Sequence, residues 1–184
     1  DGADIAEAGN WSDYKYANAG TTYMTDDGAP RDSWTAVMEN SRGSAGTARA
    51  SSGAEFLGLE IRGKTSTMEL VIADGGKVTG RNEIRIGSRG IVTLQGGGVA
   101  SLRWVDVMQD GTIRGAGDVA ASLMNSGVAD ITGSLKVSGD YVEGQGATLT
   151  AAVTGGGTPL LVGCDAVLAG TLSVALAEGY RPSA

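Results

Sequence analysis

"LVIADGGKVTG", residues 70–80, is the passage on which the reading of the fold turns. Two later passages lie over it without gaps: "IRIGSRGIVTL" (84–94) and "VDVMQDGTIRG" (105–115). Positions one and three are apolar in each: Leu70 and Ile72, Ile84 and Ile86, Val105 and Val107. Position seven is glycine (Gly76, Gly90, Gly111), and position nine is β-branched (Val78, Val92, Ile113). Apolar residues two apart share one side of an extended strand, so each passage reads as strand, glycine turn, strand.

The second half of the unit recurs as "GSLKV" from Gly133 and "GTLSV" from Gly170, with "ATLTA" from Ala147 as a weaker copy. Intervals between these turn positions are 14, 21, 22, 14 and 23 residues. An interval near 22 suits one turn of a β-solenoid, in which a short unit stacks on the next. The two intervals of 14 leave open whether those copies fall on different faces of a turn or follow trimmed loops. An antiparallel sandwich is the rival reading. Two features favour the solenoid: few aromatic residues to fill a gap between sheets, and no rhythm of two-residue hairpin turns. The expected fold is therefore an all-β, right-handed parallel β-helix over 54–184.

Composition agrees. Apolar residues are 41% of the 184, but only 5% are aromatic and there is one Phe, so the core must be narrow and aliphatic. Glycine reaches 31 residues against three prolines, with no triplet period, which excludes collagen and favours tight corners. The net charge of −7 repels phosphate backbones, so nucleic acid is not an expected partner. No apolar run is long enough for a membrane span. The opening "DGADIAEAGNW" shows no leader pattern and reads as a mature or trimmed start. Cys164 stands alone, so no internal disulfide forms. The absence of histidine removes the commonest general base and the commonest transition-metal ligand, so any enzyme would have to run on carboxylates, Lys, Arg or Tyr; a coil of ~130 residues leaves little room for cleft-building loops, and a non-enzyme is expected.

Residues 1–53 differ from the rest. They hold Trp11 and Trp34, lack sustained alternation and end in the polar "NSRGSAGTARASSG". We read them as an irregular N-terminal cap or extension, with one short helix over "RDSWTAVMEN" placing Trp34, Val37 and Met38 on a face.

The closing stretch sets Gly133, Leu135, Val137, Gly139 and Tyr141, then Gly170, Thr171, Leu172, Val174, Leu176, Gly179, Tyr180 and Pro182, in one recurrent pattern. In these residues it resembles autotransporter-like secreted β-helix surface proteins. The resemblance covers 128–184, weakens over 66–127 and nearly vanishes before that. It implies an extracellular or bacterial cell-surface location and a role as adhesin, fibre or scaffold. The expected function is a non-catalytic structural or adhesive protein that self-associates into a fibre or surface assembly. A polysaccharide-binding module is the alternative, and a carbohydrate-active enzyme a more distant one.

Candidate residues follow. For assembly they are Trp11, Trp34, Leu172, Val174, Leu176 and Tyr180. For a polysaccharide they are Trp104, Tyr141, Arg85, Arg89 and Arg103, an aromatic-plus-guanidinium set suited to an acidic sugar. Arg81 and Arg114 belong to the same basic stretch, and ion pairs within the domain are the plainer explanation for all five arginines. Asp26 and Asp27 offer oxygen ligands to Ca2+, as do Asp74 and Asp110, although Asp-Gly is ordinary turn chemistry. No other cofactor is expected. Asp106, Asp118, Asp130 and Asp140 are the outward carboxylates that a glycoside-cleaving pair would draw on.

Overall fold

The computed structural model describes residues 3–5, 35–40, 43–153 and 158–176. Every pairing among the described strands is parallel, which sets the sandwich aside. The chain winds through about six turns of a three-faced β-solenoid.

Face A is built from β2 (Thr35–Asn40), β5 (Gly58–Gly63), β8 (Glu83–Ile86), the ends of β9 (Gly90–Val107) and β10 (Thr112–Asn125), β13 (Tyr141–Glu143) and β16 (Ala166–Val167). Face B holds β1 (Ala3–Asp4), β3 (Gly46–Ala50), β6 (Met68–Ala73), the starts of β9 and β10, β11 (Val128–Ile131), β14 (Thr148–Val153) and β17 (Thr171–Leu176). Face C holds β4 (Gly53–Phe56), β7 (Lys77–Gly80), the middles of β9 and β10, β12 (Leu135–Val137) and β15 (Leu160–Val162).

Alternation by two sends every second side chain inward, and parallel register stacks like on like. Face C carries a column of one residue type: Val78, Val99, Val119, Val137 and Val162. Face B stacks Leu70, Val92, Ile113, Ala129, Leu149 and Leu172. Face A stacks Leu59, Ile84, Val105, Leu123 and Tyr141. Each fully buried Val, Leu or Ile contributes about 1.5–3 kcal/mol, so the columns carry the stability.

The repeat glycines have a specific cause. At Gly76, Gly90 and Gly111 a Cβ would overlap the carbonyl oxygen of Ala50, Ile61 and Ile86 respectively, in the neighbouring turn. None of the three has a left-handed φ, so close approach between turns, and not turn strain, selects glycine there. The uneven intervals also resolve. Gly76 and Gly133 lead into face C, whereas Gly90, Gly111, Ala147 and Gly170 lead into face B. The two intervals of 14 run from a face C corner to the next face B corner, so those copies do fall on different faces.

Two readings of the N-terminal region change. The short helix expected over "RDSWTAVMEN" is contradicted: Thr35–Asn40 form β2. Ala36, Met38 and Asn40 point inward and register with Leu59, Ile61 and Gly63. Stacking on a preformed rung favours the period of two over the weaker helical period. The strands β2 and β3 thus stand in the stack, although both lie in the stretch read as cap. Trp11 and Trp34 lie outside the described residues. No helix among the described residues is long and apolar enough to cross a membrane.

Candidate functional site

The last described turn stands apart from the others. Nine large apolar residues are exposed among the described residues, and six of them lie on it: Leu161, Val167, Leu168, Leu172, Val174 and Leu176. Leu172, Val174 and Leu176 are 54–55% exposed. They register with Leu149, Ala151 and Val153, so Leu172 and Val174 prolong the buried inward rows of Leu149 and Ala151. At the other end the inward Ala36, Met38, Ala48, Ala50 and Phe56 are buried. The two ends therefore differ. Of the other assembly candidates, Tyr180 lies outside the described residues, as do Trp11 and Trp34.

The outer surface of face A carries a second feature. One outward column runs Val37, Glu60, Arg85, Asp106, Met124, Val142 and Val167, with three ionic residues in succession followed by three apolar ones after the apolar Val37. Beside it Glu83, Trp104 and Ser122 register in turn. Below them the Asp140 backbone N–H donates to Ser122 Oγ at 3.1 Å, and the Asp165 N–H donates to Asp140 Oδ1 at 3.1 Å. Trp104 is 38% exposed. It ends a widened corner in which Ser101, Leu102 and Arg103 oppose Ala121 alone. Ser101 Oγ donates to the Asn82 carbonyl at 2.8 Å and accepts from the Arg103 N–H at 3.2 Å, which pins the corner. Leu102, 81% exposed, projects from it, and the Arg103 guanidinium lies 5.6 Å from the centre of the Trp104 ring.

Tyr141 requires a correction. Read as a surface aromatic for sugar stacking, it is fully buried in the face A column. Its hydroxyl accepts from Asn125 Nδ2 at 3.1 Å, and burial pushes its pKa up to about 12. Most of the arginines are committed within the domain. Arg81 Nε pairs with Glu55 at 2.8 Å, Arg85 with Glu83 at 3.0 Å, and Arg114 with Glu69 at 2.8 Å. Arg89, in a left-handed backbone conformation, donates to the carbonyls of Lys64 and Thr65. Arg103 makes no ion pair among the described residues.

The four outward carboxylates do not converge. Asp106 lies on face A, Asp118 on face C in register with Lys136, Asp130 on face B in register with Arg114, and Asp140 at a corner. Burial raises the Asp106 carboxyl, with the Arg85 charge opposing. Among the described residues no group of three or more Cys, Asp or Glu side chains is placed to hold a metal, and Asp26 and Asp27 lie outside them. Asp74 and Asp110 sit in turns, Asp110 with φ of 62°.

Sequence reasoning missed three inward polar residues, Asn40, Asn125 and Glu143. The first two brace the corner between faces A and B. Asn40 Nδ2 donates to the Ser44 and Thr67 carbonyls at 2.8 and 2.7 Å. Asn125 accepts from the Gly127 N–H and donates to the Thr148 carbonyl. Glu143, 2% exposed, takes the next place below Asn125 with Oε1 unpartnered. Burial raises its carboxyl pKa, while the Gly170 N–H holds it down in part. Parity was the available signal: these are polar residues on the inward parity, as Met124 and Val142 are apolar ones on the outward.

The described residues form an all-β parallel solenoid whose last described turn carries an exposed apolar row and whose face A is partly apolar. No family model, curated protein or solved structure matches this chain.

Proposed function

We propose that this chain is a non-catalytic structural or adhesive protein of the extracellular space or bacterial cell surface that self-associates into a fibre or surface assembly. The observation that carries the reading is the aliphatic row Leu172, Val174 and Leu176, left in solvent beside the edge of β17. An apolar row on a strand whose second edge pairs with no strand among the described residues is completed by another strand of matching rise, and a second copy supplies one. The resemblance over 128–184 supports the location and the class of role. Scattered carboxylates suit a solvated wall better than a cleft.

Sedimentation velocity over a wide concentration range and negative-stain electron microscopy test the proposal. Concentration-dependent polymers that vanish in Leu172→Asp are expected. A monomer at every concentration overturns it. The exposed pair Trp104 and Arg103 favours polysaccharide binding as the second reading, for which glycan binding by a monomer, lost in Trp104→Ala, is the test.

A further inference from the structure

We infer that face A is a lateral contact between two copies of this chain, related by a two-fold axis that runs along the strand direction. The inference rests on the proposed self-association but uses a surface separate from the exposed row on β17.

Outward positions of a solvated parallel sheet are ordinarily polar, and on the first half of face A Glu39, Arg62 and Glu60 form one ionic cluster beside the outward Val37. Past the rung of Trp104 and Asp106 the character of this column changes. Met124, Val142 and Val167 follow one another in register on the outward parity, with no ionic side chain among them in that column. At the upper end of this patch stands Arg103. Asp165, exposed, stands at the lower end, linked through Asp140 and Ser122 to the column of Trp104. Three rungs at ~4.8 Å separate the two ends.

A two-fold axis along the strands reverses the order of rungs in the partner while keeping each column opposite itself. Centred between Met124 and Val142, it sets Met124 against Val142 of the second copy. The same operation sets the Arg103 and Trp104 rung against the Asp165 and Val167 rung. Cation and carboxylate meet at both ends of the contact and Met124 meets Val142 in the middle, while Asp106 comes to face Val167 and Ser122 to face Asp140. A face that is self-complementary under a two-fold axis is what an isologous dimer requires. Trp and Arg are also the residue types that dominate association energies. A two-fold axis along the stack would instead keep Arg103 level with Arg103 and Asp165 level with Asp165, so only the axis along the strands brings the unlike charges to one level.

The test uses the full chain carrying Leu172→Asp, which disables the end contact. Sedimentation velocity is expected to show a dimer that persists in this background. Arg103→Glu and Asp165→Arg should each weaken it by about tenfold, and the double variant should restore it, because each new charge faces the other across the axis. Circular dichroism checks that each variant keeps its strand content. Arg103→Cys gives a second measurement: under mild oxidation it should link to Cys164 of the second copy, next to Asp165, while the unaltered chain stays unlinked.

A monomeric Leu172→Asp background overturns the lateral contact but leaves the end contact standing. A wild-type monomer removes both. Single charge reversals without effect, or a double variant no better than either single one, overturn the two-fold arrangement. A Trp104-dependent glycan interaction in a chain that never dimerises assigns the patch to a sugar instead.

Discussion

Asn125 donates from Nδ2 to the Tyr141 hydroxyl at 3.1 Å inside the column of face A, one rung to the next, where both side chains are buried. The same amide also bridges to the Thr148 carbonyl and to the Gly127 N–H, so one side chain ties two faces and two turns together. Removing the two partners should therefore have unequal costs. Tyr141→Phe loses one neutral hydrogen bond, and about 1 kcal/mol of stability is expected to go with it. Asn125→Leu strands the Gly127 N–H and is expected to cost about 2–3 kcal/mol. Urea unfolding midpoints of the two variants check the order; equal losses would count against the bracing role.

Glu143 makes the opposite prediction. Its carboxyl pKa is raised in the fold by burial, so the folded chain holds that proton more tightly than the unfolded chain does. The sign follows directly. Stability from this group is fully present below the ordinary carboxyl pKa and is lost as pH rises through the folded value. Glu143→Gln keeps an oxygen for the Gly170 N–H and removes the buried charge. The variant is expected to gain stability over the parent as pH rises from acid to neutral, as denaturation at the two pH values would reveal.

Glu69 has the reverse sign. Burial alone would raise its carboxyl, but the Thr93 hydroxyl and the Arg114 guanidinium outweigh that and hold it below the usual range. Stability from this group is present above the ordinary carboxyl pKa and falls away as pH drops through the lowered folded value. Arg114 spans from the rung of β10 to that of β6, with its Nε on Thr93. Arg114→Ala is expected to cost about 0.5–1 kcal/mol at neutral pH and low salt, and less at high salt. An unchanged cost in concentrated salt would refute the electrostatic account.

Glycine substitutions separate close approach from chain freedom. Gly111→Ala puts a methyl against the Ile86 carbonyl and against other backbone atoms that cannot move aside. A loss of about 1–3 kcal/mol is expected. Gly53→Ala meets nothing within 4 Å and has no left-handed φ, so it should be neutral or stabilise by up to about 1 kcal/mol. Thermal unfolding of the pair decides the matter.

The parallel coil was legible because alternation by two with glycine at one turn position is a local signal, written out at Leu70–Gly80 and repeated. The handoff between faces was not legible. Corners differ in length, from the single residue Leu57 to the four residues 64–67, and no single period survives that variation. At Thr35–Asn40 a helical and an extended pattern coincide, and the choice belongs to the neighbouring rung at Gly58–Gly63. Tyr141 showed the inward parity in its own sequence. Only its chemistry suggested a surface role, and the buried Asn125 amide that satisfies its hydroxyl lies sixteen residues earlier in the chain.

The run of valines along face C has a consequence for how such a chain changes size. When Val78, Val99, Val119, Val137 and Val162 occupy equivalent places, no level of the column is chemically distinguishable from the next. Excising 92–112 would bring Ile113 to the place of Val92 above Leu70 and Val119 to that of Val99 above Val78. The shortened protein should fold as the parent does, one storey lower. Genes encoding such walls can therefore be lengthened or trimmed by whole storeys, with selection acting on height and leaving the masonry alone.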